Sequence, residues 1–167
     1  MQLQELSDNG FGMSQDICPH THDAWVKLVR TEQTLLAKVE EHLKRAGFPP
    51  LEWYDVLLEL DKSETGALPQ AAVQSRVLLA QYNLCRLVDR LEREGYVGRS
   101  PSPDDGRSNV LTITGKGREL RRAMWPVYAA TIQSHVGSRL SGDEAQQLAA
   151  LLGKLTDARP GEMRAAE

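Results

Sequence analysis

The chain is poor in the features that mark several protein classes. Its two cysteines, Cys18 and Cys85, are too few for a disulfide framework and read as reduced thiols. No apolar run reaches the ~20 residues that cross a bilayer. The longest stretch without a formal charge, Ala123 to Ser138, is interrupted by Pro126, Gln133 and His135. Residues 1–10 carry Glu5 and Asp8 and lack both the basic cluster and the apolar segment of a secretory signal, so a cytoplasmic protein with no membrane partner is expected. Gly-x-Ser-x-Gly, His-Glu-x-x-His and a phosphate loop are missing. Gly115-Lys-Gly117, the nearest approach to a dinucleotide fingerprint, has Leu120 at its sixth position and no later strand to build a parallel sheet. Neither an enzyme nor a cofactor is expected.

What is present is a lopsided charge distribution. The chain of 167 residues, 41% hydrophobic and 26% charged, carries a net −3. Between Gly66 and Arg122, ten Lys and Arg stand against six Asp and Glu, a local +4 that leaves −7 for the remainder. An anionic partner would dock on that middle third.

The pattern of apolar residues gives the organisation. Residues 1–21 lack periodicity and read as a flexible arm. Residues 22–50 hold a long helix with Trp25, Leu28, Val29, Leu35, Leu36, Val39 and Leu43 at helical spacing, stopped by Gly47 and Pro49-Pro50. It is longer than one small core can cover, which implies a partner surface. Residues 51–118 contain a helix with Trp53, Val56, Leu57 and Leu60 on one side, a short helix over Leu68–Val77 with Pro69 in its first turn, and a helix over Ala80–Glu94 closed by Gly95. Two β-like runs follow, Tyr96–Arg99 and Asn109–Thr114, joined by an exposed loop rich in Pro and Asp with Arg107 near its tip. Residues 119–158 hold a second long helix bent at Pro126 and a last one opened by a Ser141-x-x-Glu144 capping box, and 159–167 form a frayed tail.

This order predicts a mainly α fold with a small β-hairpin wing, a winged helix-turn-helix between helical flanks. On the helix over Ala80–Glu94 the stripe opposite Leu84, Leu87, Val88 and Leu91 carries Tyr82, Arg86, Asp89 and Arg93, flanked by Asn83 and Arg90. A helix with such a face enters a major groove, and a charged hairpin beside it reaches adjacent phosphates or the minor groove. Taken alone the basic face could be ordinary solvated surface; the neighbouring turn and wing favour double-stranded DNA.

The run Leu84-Cys-Arg-Leu-Val-Asp-Arg-Leu-Glu-Arg-Glu-Gly-Tyr-Val97, with Pro103-Asp-Asp-Gly-Arg107 and Ile113-Thr114-x-x-Gly117, closely resembles the MarR family over about Asp23 to Leu155. The resemblance implies a homodimeric transcription factor, read here as a repressor of a pseudo-palindromic operator. The terminal helices would form the dimer interface, and a small aromatic or phenolic effector would release the DNA. It places Gln81, Tyr82, Asn83 and Arg86 at base edges or nearby phosphates. Asp105 would brace Arg107 in the minor groove, although an ordinary surface pair of the two is the competing reading. Gly106 stands where the family often has an arginine, which removes a charge from the wing. Arg76, Arg90 and Arg99 read as backbone contacts that set orientation without carrying sequence information.

An effector crevice in this family lies between the dimer helices and the winged domain, where His42, Trp53, Tyr54, Met124 and Trp125 are candidates. Aromatics at helical spacing are more often core. Cys85 is either an oxidation sensor or a half-buried small residue. Cys18-x-His20-x-His22 does not match the usual zinc spacing, so no metal site is expected. A redox- or metal-responsive regulator of the same fold is the alternative, and a helical interaction protein that does not bind DNA is the more distant rival.

Overall fold

The computed structural model describes residues 17–77, 81–102 and 108–156. The Asp105–Arg107 wing tip, the outer part of the N-terminal arm and the C-terminal tail lie outside the described residues, as do the side chains of Gln81 and Tyr82. In chain order the elements are α1 (Pro19–Arg45), α2 (Leu51–Lys62), β1 (Ala67–Pro69), α3 (Gln70–Arg76), α4 (Gln81–Arg93), β2 (Val97–Pro101), β3 (Asn109–Ile113), α5 (Gly115–Ile132), a π-helical turn (Gln133–Gly137) and α6 (Gly142–Thr156). The architecture is helical with one small antiparallel sheet, as the sequence predicts. Among the described residues no helix is long and apolar enough to cross a membrane.

The chain divides into two compact units, Met1–Thr34 and Leu35–Glu167. In the first, the described part of α1 is almost entirely exposed, with Trp25 62% accessible, and Asp23 pairs with Lys27 at 2.7 Å. The helix begins at Pro19, inside the stretch 1–21 expected as a flexible arm, because proline at a helix's first position forfeits no hydrogen bond.

The second unit is built on two apolar clusters. One unites Trp53, Val56, Leu57 and Leu60 of α2 with Val73 of α3, Leu84, Leu87, Val88 and Leu91 of α4, and Val97, Leu111 and Ile113 of the sheet. The other joins Val39 and Leu43 of α1 to Leu51, Tyr54 and Met124. Because α2 contributes alternate sides to both, it is the spine of the unit. Its N-terminus follows Pro50, which offers no side-chain cap, so Glu40 Oε1 accepts from the Leu51 N–H at 2.9 Å instead.

The sheet order is β1-β3-β2, and β1 departs from the expected helix over Leu68–Val77. Leu68 pairs with Leu111 and Pro69 with Val110, and only then does α3 begin. Proline tolerates an edge strand, where its missing donor leaves no ladder bond unmade, and Pro69 then forms the N-cap of α3. Elsewhere local signals hold. Gly95 takes φ 79°, and the N–H groups of Gly95 and Tyr96 donate to Glu92 O and Leu91 O at 2.9 Å each, the paired bonds of a Schellman cap on α4. Thr114 Oγ1 caps α5 by accepting from the Gly117 N–H at 3.1 Å. Ser141 and Glu144 exchange the two bonds of a capping box, at 2.9 and 3.3 Å. Helix α5 runs on through Pro126, and the irregularity comes later, as the π-helical turn.

Candidate nucleic-acid interface

Helix α4 is packed on one side only. Leu84, Leu87, Val88 and Leu91 are buried against α2, α3 and the sheet, and this fixes the rotation of the helix. Asn83, Arg86, Asp89, Arg90 and Arg93 are thereby turned out to solvent. Gln81 and Tyr82 open the first turn of α4. A depression of about 600 Å³ adjoins this face, between Glu52 and Trp53 of α2 and the polar side chains of α4. One amide and three guanidinium groups are thus carried on a helix whose rotation is set by its apolar side.

The wing base is a regular hairpin. Val97 pairs with Ile113 and Pro101 with Asn109, and the Ser102 N–H donates to Ser108 O at 2.8 Å beyond the last pair. In sequence, Asp105 and Arg107 fall between these two strands, outside the described residues.

The three arginines expected at the DNA backbone differ in their freedom. Arg99 on β2 places Nη2 2.6 Å from Asp89 Oδ1 and Nε 3.3 Å from Glu92 Oε2, with its side chain only 24% exposed. The Nε–H is not aimed at Glu92, so that second contact is ionic rather than hydrogen-bonded. Arg99 therefore staples β2 to α4. Arg90 has its guanidinium carbon 5.3 Å from the Trp53 ring centroid and its Nε 3.4 Å from Glu94 Oε1, yet its side chain remains 58% exposed. Arg76 on α3 is half-exposed, with Nη1 3.9 Å from Glu59. Two further cations counted in the basic segment, Arg118 and Arg121, face Asp61 of α2. That carboxylate lies just upstream of the counted segment, so the charge available to a polyanion is smaller than the local sum.

The structure does not bring the five effector candidates to one cavity. His42 lines a depression of about 680 Å³ with Arg45, Pro126, Val127 and Thr131, its Nδ1 3.1 Å from Thr131 Oγ1 and its ring 5.9 Å from that of His135. Tyr54 and Trp125 lie nearly parallel with centroids 6.3 Å apart, and Tyr128 stands edge-on to both. Met124 is fully buried in the core beside Tyr54. Trp53 belongs to the other cluster, against Tyr96. Cys85 is half-buried and accepts from Gln70 Nε2 at 3.4 Å. Cys18, His20 and His22 are exposed, and the N–H groups of Thr21 and then His20 hold the Cys18 thiol below its ordinary pKa. Among the described residues no group of three or more His, Cys, Asp and Glu is placed to hold a metal ion.

Periodicity missed the junction between α4 and α5. Lys116 Nζ donates to Glu94 O at 2.7 Å and lies 4.3 Å from the Tyr96 ring centroid, while Thr114 Oγ1 lies 2.8 Å from Gly95 O and 3.0 Å from Tyr96 O. The one available signal was the Thr-x-x-Gly step itself.

Comparison with known proteins agrees with this geometry. A family model described as MarR family matches residues 46–108. The HTH-type transcriptional regulator YkoM of Bacillus subtilis is 35% identical over 133 residues, covering 77% of this chain and 84% of that protein. Sco3205, a MarR family transcriptional regulator from Streptomyces coelicolor solved in complex with DNA, superposes with a TM-score of 0.78 at 22% identity, covering 87% of this chain and 92% of its own. BpsR of Bordetella bronchiseptica, whose DNA binding is regulated by 6-hydroxynicotinic acid, superposes with a TM-score of 0.70 at 25% identity over 79% of this chain and 91% of its own.

Proposed function

The chain belongs to the MarR family of winged-helix transcriptional regulators, and on that premise we propose that it is a cytoplasmic repressor that binds a pseudo-palindromic DNA operator as a homodimer. The observation that carries the reading is the orientation of α4, with leucines packed inward and Asn83, Arg86, Arg90 and Arg93 turned out beside the wing base. Asn83 and Arg86 have the chemistry to read adenine and guanine edges in the major groove. Arg107, braced by Asp105, reaches the minor groove; Arg90 and Arg76 contact phosphates, and Arg99 orients the wing. Gln81 and Tyr82 complete the reading turn. Two copies place their α4 helices about one DNA turn apart, ~34 Å, so that a ligand wedged among the dimer helices changes the spacing and releases the DNA. The solved complex of Sco3205 with DNA supports the first part of this reading. The regulation of BpsR by 6-hydroxynicotinic acid supports a small aromatic or phenolic effector. His42 on α1, Tyr54 on α2, and Met124 and Trp125 on α5 are the candidates nearest such a role, with Trp53 in the other apolar cluster.

The test is a gel shift on the DNA flanking the gene. Arg86→Ala should weaken binding by roughly 5- to 150-fold and relax base preference, the equivalent of ~1 to 3 kcal/mol for one bidentate contact. Arg107→Ala should weaken binding with a shallower salt dependence. Unaltered shifts for both variants would refute DNA recognition by this face.

A further inference from the structure

Four side chains, one each from α5, α2 and α4 and one from the turn that follows α4, form a continuous stack in which cations flank a pair of rings. Lys116, in the first turn of α5, sets Nζ 4.3 Å from the Tyr96 ring centroid. The Tyr96 ring meets that of Trp53 edge-on, with centroids 5.7 Å apart and planes at 71°. On Trp53 lies the guanidinium of Arg90, 5.3 Å from the centroid. Trp53 is 3% exposed, whereas Arg90 opens onto the depression that Asn83 and Arg86 also line. One end of the stack is therefore the root of α5, and the other is the DNA-facing side of α4.

We infer that Trp53, Tyr96 and Lys116 are positioning residues that pre-set Arg90 for a DNA phosphate and tie that setting to the seat of α5. The inference rests on the DNA-binding reading above. A ring face attracts a cation through its quadrupole, and an edge-on ring pair presents a partly positive edge to a partly negative face. An arginine already lying on a buried indole has surrendered much of its rotamer freedom, so capturing a phosphate costs it less ordering. Glu94 is the rival route, because its carboxylate faces Arg90 and its main-chain O accepts from Lys116, and the test must separate it from the ring stack. If α5 shifts, Lys116 leaves both Tyr96 and the C-terminus of α4, and the support under Arg90 loosens. An effector acting among the long helices would then change the quality of a DNA contact as well as the distance between half-sites.

The experiment is a double-mutant cycle in DNA affinity on the full-length protein. The probe is a duplex selected by the wild-type chain from a random-sequence pool. Lys116→Met should weaken binding roughly 3- to 10-fold with its salt slope nearly unchanged, and Arg90→Gln should weaken binding and reduce the slope by about 1. In the Arg90→Gln background the Lys116→Met effect should shrink to within about 2-fold. Tyr96→Phe keeps the ring and should keep the coupling. Tyr96→Leu, checked by circular dichroism for retained helix, should abolish it, while Glu94→Gln should preserve it. Losses that multiply independently overturn the inference. So does a fall in salt slope for Lys116→Met in the Arg90→Gln background, which would make Lys116 a phosphate ligand in its own right. Failure of the wild-type chain to select any duplex would instead bring down the DNA-binding reading and this inference with it.

Discussion

Asp61 Oδ1 accepts a hydrogen bond from Arg118 Nε at 2.9 Å, tying the last turn of α2 to the first turns of α5. The other carboxylate oxygen lies 2.7 Å from Arg121 Nε, an ionic contact whose N–H points elsewhere. All three side chains are at least half-buried, with Asp61 18% exposed. Removing the carboxylate strands two guanidinium groups in a partly desolvated site. Asp61→Ala is expected to cost about 2 kcal/mol, below the figure for a fully buried pair because water reaches part of the cluster. Urea denaturation checks it through a lower midpoint at unchanged slope. A midpoint within error of wild type would show that the pair is mere surface decoration.

Gly117 makes a sharper test of the same joint. A Cβ at this position would press into the main-chain O of Tyr96 and lie 2.9 Å from Ile113 Cγ1. Alanine is otherwise the better helix former by about 1 kcal/mol. The steric cost is expected to win because the obstacle is backbone already held by Thr114 N–H and Oγ1. Gly117→Ala should lower stability by about 2 kcal/mol or more, roughly 4 to 8 °C in melting temperature for a chain of this size. Gly115, two residues earlier, has nothing within 4 Å of its Cβ position. Gly115→Ala should therefore be neutral or stabilising, and similar losses for both variants would contradict the packing account.

Asp55 gives stability an unusual dependence on pH. Burial first, and then the charges of Glu59, Glu40 and Glu52 opposed by Lys62, push its carboxyl up to about 6 from an ordinary 3.8. Between those values the folded chain holds more protons at this group than the unfolded chain. Its contribution therefore falls as pH rises from about 4 to about 6 and remains unfavourable above. Asp55→Asn is expected to raise stability at pH 7 by about 1 kcal/mol, discounted because the group is partly solvated. The gain should vanish below about pH 4, where both states of the wild type are protonated. Paired urea titrations at pH 3.5 and 7 measure the difference; a gain of equal size at both would remove the carboxyl's charge as the cause.

What the sequence made legible was decided by neighbours in the chain. The Ser141–Glu144 box, the Gly95 stop and the Thr114–Gly117 step each close within a few residues, so their residue types alone announce them. Leu68 and Pro69 show the opposite case. Their β1 pairing is with Leu111 and Val110, on a strand that periodicity over a short window never sees. Arg99 illustrates the same limit at the interface, since its exposure is decided by Asp89 and Glu92 once β2 folds back on α4. Trp53 and Tyr54, adjacent in sequence, are both effector candidates by residue type, yet α2 sends them to different clusters because neighbouring helical positions point about 100° apart.

Helix α6 poses the remaining physical problem. It has no buried residue, and Leu148, Leu151, Leu152 and Leu155 are 43%, 58%, 36% and 71% exposed. Their i, i+3, i+4, i+7 spacing makes one continuous apolar stripe. Fifteen residues of helix are marginal in water without tertiary support, and capping by Ser141 and Glu144 adds only about 1 kcal/mol. Burying each leucine would contribute roughly 1.5 to 3 kcal/mol, so under the proposed homodimer a second copy covering the stripe would supply what the helix lacks. On the homodimer reading, Leu151→Glu combined with Leu155→Glu places two charges in that seam. The expected result is a fall in hydrodynamic mass from two chains to one. Weaker operator binding should accompany it, because each protomer then engages a single half-site. The winged domain should retain its fold, since no residue of α6 belongs to either buried cluster. Light scattering of wild type and variant at matched concentration decides the matter. A mass of two chains for both would move the interface away from α6, and a single chain for the wild type would remove the homodimer altogether.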